Sequence, residues 1–458
     1  MSADLAESLA AAVGPANVLG GDAIPDDYWH DEALTATPSR PRFVVMPRTT
    51  EDVAGIVAVA GEQGVGVTAR GSGTGLCGGA IASGDGIVLS FERMNAILEI
   101  DLENHMAVVE PGVTLRQLDE ALVPHGLFYP VFPGEYSASL GGNVATNAGG
   151  MRAVKYGVTR NQVLGLTAVI GSGEVIRTGG KFVKATTGYD LTQLIIGSEG
   201  TLGIVTEATL KLYPRPAHAA TVLAPFLTLD EVTDAIPRIV ASGVTPLILE
   251  YIDFISMAGI TGSAGLELGV PADVKEKALA YLVVVLEDRS EARLDEDVER
   301  TAELLAGLGA MDVFVLPPTA GAQLIEARER AFFVAKAAGA DDIIDMVVPR
   351  SKMSPYLAEV GRLASATASL VTGCGHAGDG NVHLSVFQKD PEVRHGLIHD
   401  IFVAGLALGG AISGEHGIGT EKKAYFLGLE DPGKLALMRR IKTAFDPHGI
   451  LNPGKLLD

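Results

Sequence analysis

Cysteine is nearly absent from this chain of 458 residues: Cys77 and Cys374 are the only two. Two are too few for the disulfide framework of a small secreted fold. Positive charge is scarce as well. Thirty-five Lys and Arg stand against 56 Asp and Glu, a formal net charge of −21. That balance excludes the basic face on which nucleic-acid binding depends. Any anionic substrate must then be captured by local cations against an unfavourable overall field. No apolar run approaches the roughly 20 residues that a membrane-spanning helix takes; the strongest, Ala280–Leu286, is strand-sized. The N-terminus, Met1-Ser2-Ala3-Asp4-Leu5-Ala6-Glu7, is acidic and lacks the basic start of a signal peptide. A cytoplasmic protein without an integral membrane segment is expected. Internal repeats and low-complexity linkers are also missing.

What is present is a large apolar complement and much glycine. The chain is 47% hydrophobic and 20% charged, which suits a sizeable core rather than disorder. Its length implies two or three packed units. Glycine, at 56 residues, exceeds the average share of about 7% and points to tight turns or close backbone–ligand approach.

The order of elements is readable from Arg42 onward. A strand at 43–46, a helix capped by Thr49 and Thr50 with the stripe Val53, Ile56, Val57 and Ala60, and a strand at 65–69 make a β-α-β unit. Then comes Arg70-Gly71-Ser72-Gly73-Thr74-Gly75-Leu76-Cys77-Gly78-Gly79. Gly73–Gly78 spells GxGxxG, yet no helix follows at once as the NAD fingerprint requires. A strand–loop–strand with free backbone N–H groups remains, a nest suited to pyrophosphate. A second glycine-rich region spans Pro133-Gly134 to Gly149-Gly150 and includes Ser139, Gly142 and Asn143. Small residues at that density read as a narrow slot against a flat or elongated ligand. A third loop runs Gly197-Ser198-Glu199-Gly200-Thr201-Leu202-Gly203-Ile204-Val205.

From about 217 strand-like and helix-like segments alternate, as in an α+β layer with an antiparallel sheet. One helix is expected over Ala320–Ala338. The segment Cys374-Gly375-His376-Ala377-Gly378-Asp379-Gly380-Asn381-Val382-His383 reads as a hairpin whose turn is Ala-Gly-Asp-Gly. That turn brings two histidines onto one face. Ser413-Gly414-Glu415-His416-Gly417 adds a carboxylate and a third imidazole. Two imidazoles and a carboxylate suit a catalytic divalent metal with open positions, with His416 beside it as a candidate base. Histidines held only by ordinary hydrogen bonds are the competing reading. Cys374 is either a Cys-x-His partner or a small apolar strand residue. Near the end, Asn452 in the turn before Pro453 is placed to cap backbone or touch a ligand.

Taken together these motifs resemble the FAD-linked 2-hydroxyacid dehydrogenases of the vanillyl-alcohol oxidase / p-cresol methylhydroxylase superfamily. The resemblance runs from about residue 38 to Lys455. It rests on the Arg70–Gly79 loop, the Gly141–Gly150 stretch, Glu199–Ile204, the HAGDGNVH segment, Glu415-His416-Gly417 and Asn452-Pro453-Gly454. It implies an α+β chain: a two-subdomain FAD-binding domain over 1–216, a substrate or cap domain with an antiparallel sheet over 217–425, and a segment over 426–458 returning to the FAD domain. It further implies non-covalent FAD on Arg70, Gly71, Ser72, Gly73, Thr74, Gly75, Gly78, Gly79, Pro133, Gly134, Ser139, Gly142, Asn143, Gly149, Gly150, Glu199, Gly200, Gly203, Ile204, Val205 and Asn452. His376, His383 and Glu415 match the metal ligands, with zinc favoured and manganese the alternative. His416 matches the base. Arg328, with Arg330 as its rival, matches the arginine that holds the substrate carboxylate. The implied activity is oxidation of a D-2-hydroxyacid, D-lactate or glycolate ahead of D-2-hydroxyglutarate. A non-catalytic electron-transfer flavoprotein subunit is the remote alternative. The implied acceptor is an electron-transfer flavoprotein, a quinone or another subunit, and a homodimer is the assembly to test.

Overall fold

The computed structural model of the protein describes residues 4–457; of the N-terminal segment read from the sequence, Met1–Ala3 lie outside the described residues. The chain forms two compact units. One comprises residues up to Ala148, Val158–Pro214 and the chain from Glu415 onward; the other comprises Gly149–Gly157 and Arg215–Gly414. Among the described residues no helix is long and apolar enough to cross a membrane.

The first unit contains two main sheets. Strands β1 (Val18–Gly20), β2 (Phe43–Val45), β3 (Val67–Arg70) and β4 (Ile87–Ser90) lie in the order β1-β2-β4-β3. β4 runs parallel to both β2 and β3. Helix Thr50–Gln63 makes the β2–β3 crossover. Thr49 caps it by accepting from the Asp52 N–H, and Gly64 ends it at φ +64°, a left-handed turn that glycine adopts without steric cost. Its stripe of Val53, Ile56, Val57 and Ala60 packs with Val45, Ile87 and Leu89 in one apolar cluster. Burying a Val or Ile side chain in this way contributes about 1.5–3 kcal/mol.

Strands β5 (Ile97–Asp101), β6 (Met106–Val109), β7 (Leu127–Phe128), β8 (Val163–Val169), β9 (Val175–Gly179), β10 (Ile204–Lys211) and β11 (Tyr213–Pro214) follow. They form an antiparallel sheet β5-β6-β10-β8-β9 and the small pair β11-β7. Within the glycine-rich region the structure has a helix, Leu140–Thr146, which the sequence reading passed over. Its glycines are poor helix formers. Close packing explains them: a Cβ on Gly141 would lie 2.5 Å from the Pro111 Cβ. Ser139 caps the helix by accepting from the Gly142 N–H.

The second unit is built on one eight-stranded sheet. Its strands are β12 (His218–Phe226), β13 (Ile248–Asp253), β14 (Ala280–Asp288), β15 (Phe314–Leu316), β16 (Asp342–Val347), β17 (Leu370–His376), β18 (Asn381–Phe387) and β19 (Ala411–Ile412). The order is β15-β12-β14-β13-β17-β18-β16-β19, and every pairing is antiparallel. One helix went unread in the sequence and one expectation changes. Helix Phe254–Ala264 follows β13 directly because Asp253 caps it through the Ser256 N–H. The expected helix 320–338 is two helices, Pro318–Glu329 and Ala331–Ala337, broken at Arg330 where ψ is 6°.

The units cross in sequence at Pro214/Arg215 and Gly414/Glu415, against the expected 216/217 and 425/426. The 415–425 stretch belongs to the first unit because the Thr420 N–H donates to the Cys77 carbonyl at 2.8 Å and Glu199 binds the Ile418 and Gly419 N–H groups. Gly149–Gly157 belongs to the second unit. Met151 packs with Leu247, Ile248 and Val285, and the Tyr156 hydroxyl donates to Glu287 at 2.7 Å.

Candidate active site

The first unit holds a cleft of about 190 Å³ between the loop after β3 and the region that opens helix Leu140–Thr146. Of the residues singled out in the sequence, Gly71, Ser72, Gly73, Thr74, Gly75, Gly79, Pro133, Ser139, Gly142, Asn143, Glu199, Gly200 and Asn452 line it, as do Glu415 and His416. Gly203, Ile204 and Val205 line a smaller cavity of about 50 Å³ together with Gly71, Gly142 and Gly200. Gly149 and Gly150 fall in the second unit.

The glycines of the loop are there for close approach. Gly73 has φ +72° and Gly78 φ +74°. A Cβ on Gly73 would meet the Arg70 guanidinium at 2.1 Å, and one on Gly78 the Thr420 Oγ1 at 2.2 Å. Arg70 itself turns inward: Nη1 donates to the His30 carbonyl at 2.7 Å and Nη2 to the Asp27 carbonyl at 2.6 Å. Both bonds tie the end of β3 to the Asp27–His30 segment. Asn452 is likewise committed to protein. Its Nδ2 donates to the carbonyls of Gly79 and Glu199 at 3.0 and 2.7 Å, and its Oδ1 accepts from Thr68 at 3.0 Å. By contrast the Asn143 Nδ2 in the cleft and the Ser198 Oγ in the smaller cavity are buried without a protein partner. Buried polar atoms normally find one. Such donors beside a backbone nest fit a phosphate-bearing, flat cofactor.

The second unit carries a row of charged groups across four neighbouring strands. β17 and β18 are joined by Ala377–Gly380, the expected hairpin turn, with Gly380 at φ +78°. Cys374 pairs with His383 and Glu250 with His376, so the two imidazoles sit diagonally on one face, ring centroids 4.8 Å apart. Glu250, in mid-strand β13 and fully buried, places Oε1 2.6 Å from His376 Nδ1 and Oε2 2.7 Å from Arg328 Nη2. Burial alone raises its carboxyl, but the charges of His376 and Arg328 outweigh that and hold it below the usual carboxylate range. With Nδ1 facing Glu250, Nε2 is the His376 nitrogen left for a metal, an orientation common among metal-binding histidines. On the other side Asp345 of β16, also fully buried, pairs in register with His383. Its Oδ1 lies 3.8 Å from His383 Nδ1 and accepts from Asn381 Nδ2 at 2.7 Å.

Arg328 is buried in this row, whereas Arg330 sits at the surface on Glu326 at 3.2 Å. Cys374 packs in the apolar cluster of Leu223, Ile252 and Tyr281; burial pushes its thiol up to about 11, which is the apolar strand residue rather than a thiolate ligand. His416 keeps its Nε2 3.9 Å from Glu415 Oε1. Sequence reasoning missed Glu250 and Asp345. The available signal was a lone acid inside each apolar strand, Ile248-Leu249-Glu250-Tyr251-Ile252 and Ile343-Ile344-Asp345-Met346-Val347.

One unit holds a mixed sheet with a glycine nest and an antiparallel sheet, the other an α+β layer carrying histidines, and the sequence places the chain among the FAD-linked oxidoreductases. The chain belongs to the FAD-linked oxidase family. The FAD binding domain matches residues 41–179 and the FAD linked oxidases C-terminal domain residues 215–456. A FAD-linked oxidoreductase of Mycobacterium tuberculosis is 57% identical over 96% of both chains. The D-lactate dehydrogenase of Anaerostipes hadrus is 36% identical over 97% of this chain and 95% of its own. The glycolate oxidase subunit GlcD of Bacillus subtilis is 37% identical over 99% of this chain and 96% of its own. The fold matches p-cresol methylhydroxylase with a TM-score of 0.80 at 19% identity, covering 99% of this chain and 96% of that one.

Proposed function

We propose that this FAD-linked oxidoreductase is a metal-assisted dehydrogenase of D-2-hydroxyacids, with D-lactate preferred over glycolate. The observation that carries the reading is the buried Glu250–His376 pair set beside His383. The relatives named D-lactate dehydrogenase and glycolate oxidase subunit support the substrate class. His376, His383 and Glu415 are the assigned metal ligands. The Ser413 N–H donates to the Asp345 carbonyl at 2.9 Å and its hydroxyl to Asp345 Oδ2 at 2.7 Å. Glu415 follows two residues later, so its Cα lies within about 7–8 Å of the Ser413 Cα, since successive Cα atoms are about 3.8 Å apart.

FAD, when bound in the first unit, supplies the two-electron acceptor for the C2 hydrogen. A divalent metal, zinc favoured and manganese the alternative, would lower the pKa of the substrate hydroxyl. The protein does the rest. An imidazole nitrogen of His416 takes the hydroxyl proton. Arg328, set beside the histidines by Glu250, is the group assigned to the substrate carboxylate. Glu250 keeps the His376 ring in orientation, and Asp345 sets a carboxylate 3.8 Å from His383. No Lys or Arg lies in the run Asp341–Pro349 for a distal carboxylate, and burying an unpaired charge is costly. Arg350, just beyond, donates from Nε to the Gly378 carbonyl. D-2-hydroxyglutarate is therefore placed second. Specificity constants for D-lactate, glycolate and D-2-hydroxyglutarate on one dye-reducing preparation test this. Preference for the dicarboxylate overturns the substrate choice, and no turnover with any D-2-hydroxyacid overturns the function.

A further inference from the structure

We propose that Glu199 is a positioning residue that sets the backbone of the Glu415–Gly419 loop, and through it the imidazole of His416, rather than a ligand of the cofactor. Both of its carboxylate oxygens are taken. Oε1 accepts from the Ile418 N–H and Oε2 from the Gly419 N–H, each at 2.7 Å. Glu199 is buried, and its own backbone is pinned: the N–H donates to the Ala145 carbonyl at 2.7 Å, and the carbonyl accepts from Asn452 Nδ2 at 2.7 Å. Its φ of +54° is left-handed, a strained choice for a residue with a Cβ that a structure keeps only where the surroundings over-determine it.

The loop depends on such a clamp. From Ser413 to Lys422 it has no helix or strand of its own, and Gly417 and Gly419 have φ of +83° and +53°. The same loop also meets Cys77. The Cys77 carbonyl accepts from the Thr420 N–H at 2.8 Å, and its thiol donates to the Gly417 carbonyl at 3.2 Å. A Cβ on Gly419 would lie 1.9 Å from the Cys77 carbonyl oxygen, and one on Gly417 3.1 Å from Glu199 Oε1. The residues next to His416 are thus held by Glu199, whose own backbone is pinned, and by Cys77. Only a carboxylate serves both N–H groups at once. A glutamine presents one oxygen and one NH₂, so one of the two N–H groups faces a donor. An aspartate keeps both acceptors but falls a methylene short.

This inference deepens the reading of His416 as proton acceptor and rests on it. The test compares purified holoprotein of the parent chain with Glu199→Gln, Glu199→Asp and His416→Ala. Hydrogen–deuterium exchange of the 413–421 peptide, FAD content and steady-state kinetics with D-lactate are measured on each. Glu199→Gln is expected to speed exchange in that peptide and keep parental FAD content. It should lower kcat about 100-fold with KM within about threefold, the scale of a catalytic group displaced by about 1 Å. Glu199→Asp falls between and carries the same test if the Gln variant does not fold. Unchanged exchange in both Glu199 variants overturns the proposal, as does loss of FAD at unchanged exchange, which would make Glu199 a cofactor ligand. If His416→Ala turns over like the parent, the proposed role of His416 falls, while faster exchange in Glu199→Gln still upholds the clamp.

Discussion

Glu250 and His376 face each other across the β13–β17 pair, carboxylate Oε1 2.6 Å from imidazole Nδ1, while the other carboxylate oxygen holds Arg328 at 2.7 Å. Removing the acid leaves Arg328 buried beside an unanchored histidine. Glu250→Ala should therefore cost about 3–5 kcal/mol of stability, as breaking one partner of a buried ion pair does. Chemical denaturation of the two proteins measures it, and an unchanged midpoint would show that Glu250 does not stabilise the row.

Arg328 and Arg330 separate the two candidates for the substrate carboxylate. Arg330 is 70% exposed at its side chain on an exposed Glu326, and such surface pairs contribute about 0–1 kcal/mol. Arg330→Ala should leave both stability and kcat/KM close to the parent, while Arg328→Ala raises KM and destabilises. A KM increase in Arg330→Ala alone reverses the assignment.

His383→Ala should lose turnover and metal while the protein stays yellow, because the residues lining the cleft and the imidazoles of β17–β18 belong to different units of the chain. Metal analysis and the flavin spectrum are read on the same sample. Turnover that survives both this substitution and chelators sinks the metal role.

The flavin should leave intact on denaturation. Among the described residues lining the cleft, Cys77 and His416 are the only cysteine and histidine; Cys77 bonds to Gly417 and Lys422, and His416 is assigned to the proton. Flavin that remains with the acid-precipitated polypeptide rejects non-covalent binding.

Local chemistry made much of this protein legible in its sequence. Thr49, the Val53–Ala60 stripe and Gly64 define a capped helix by short-range physics. Ala377-Gly378-Asp379-Gly380 between two β-rich runs could turn only as a hairpin, which put His376 and His383 on one face. The Leu140–Thr146 helix was hidden because its glycines carry no helical signal and are there for contact with Pro111. Glu250 and Asp345 were hidden for another reason. An acid in an apolar strand gains meaning only from the strand beside it, and β13 meets β17 across more than a hundred residues of intervening chain.

By itself the sequence determined the alternation of elements, the glycine nest and the identities of the groups able to bind and transfer protons, because these depend on residue type and near-neighbour spacing. Tertiary structure decided which groups are already spoken for. It turned Arg70 and Asn452 onto backbone carbonyls, Glu199 onto the His416 loop and Glu250 onto His376 and Arg328. A buried charge must find its partner wherever the fold brings one, and that partner is set by packing between distant segments, which spacing along the chain does not encode.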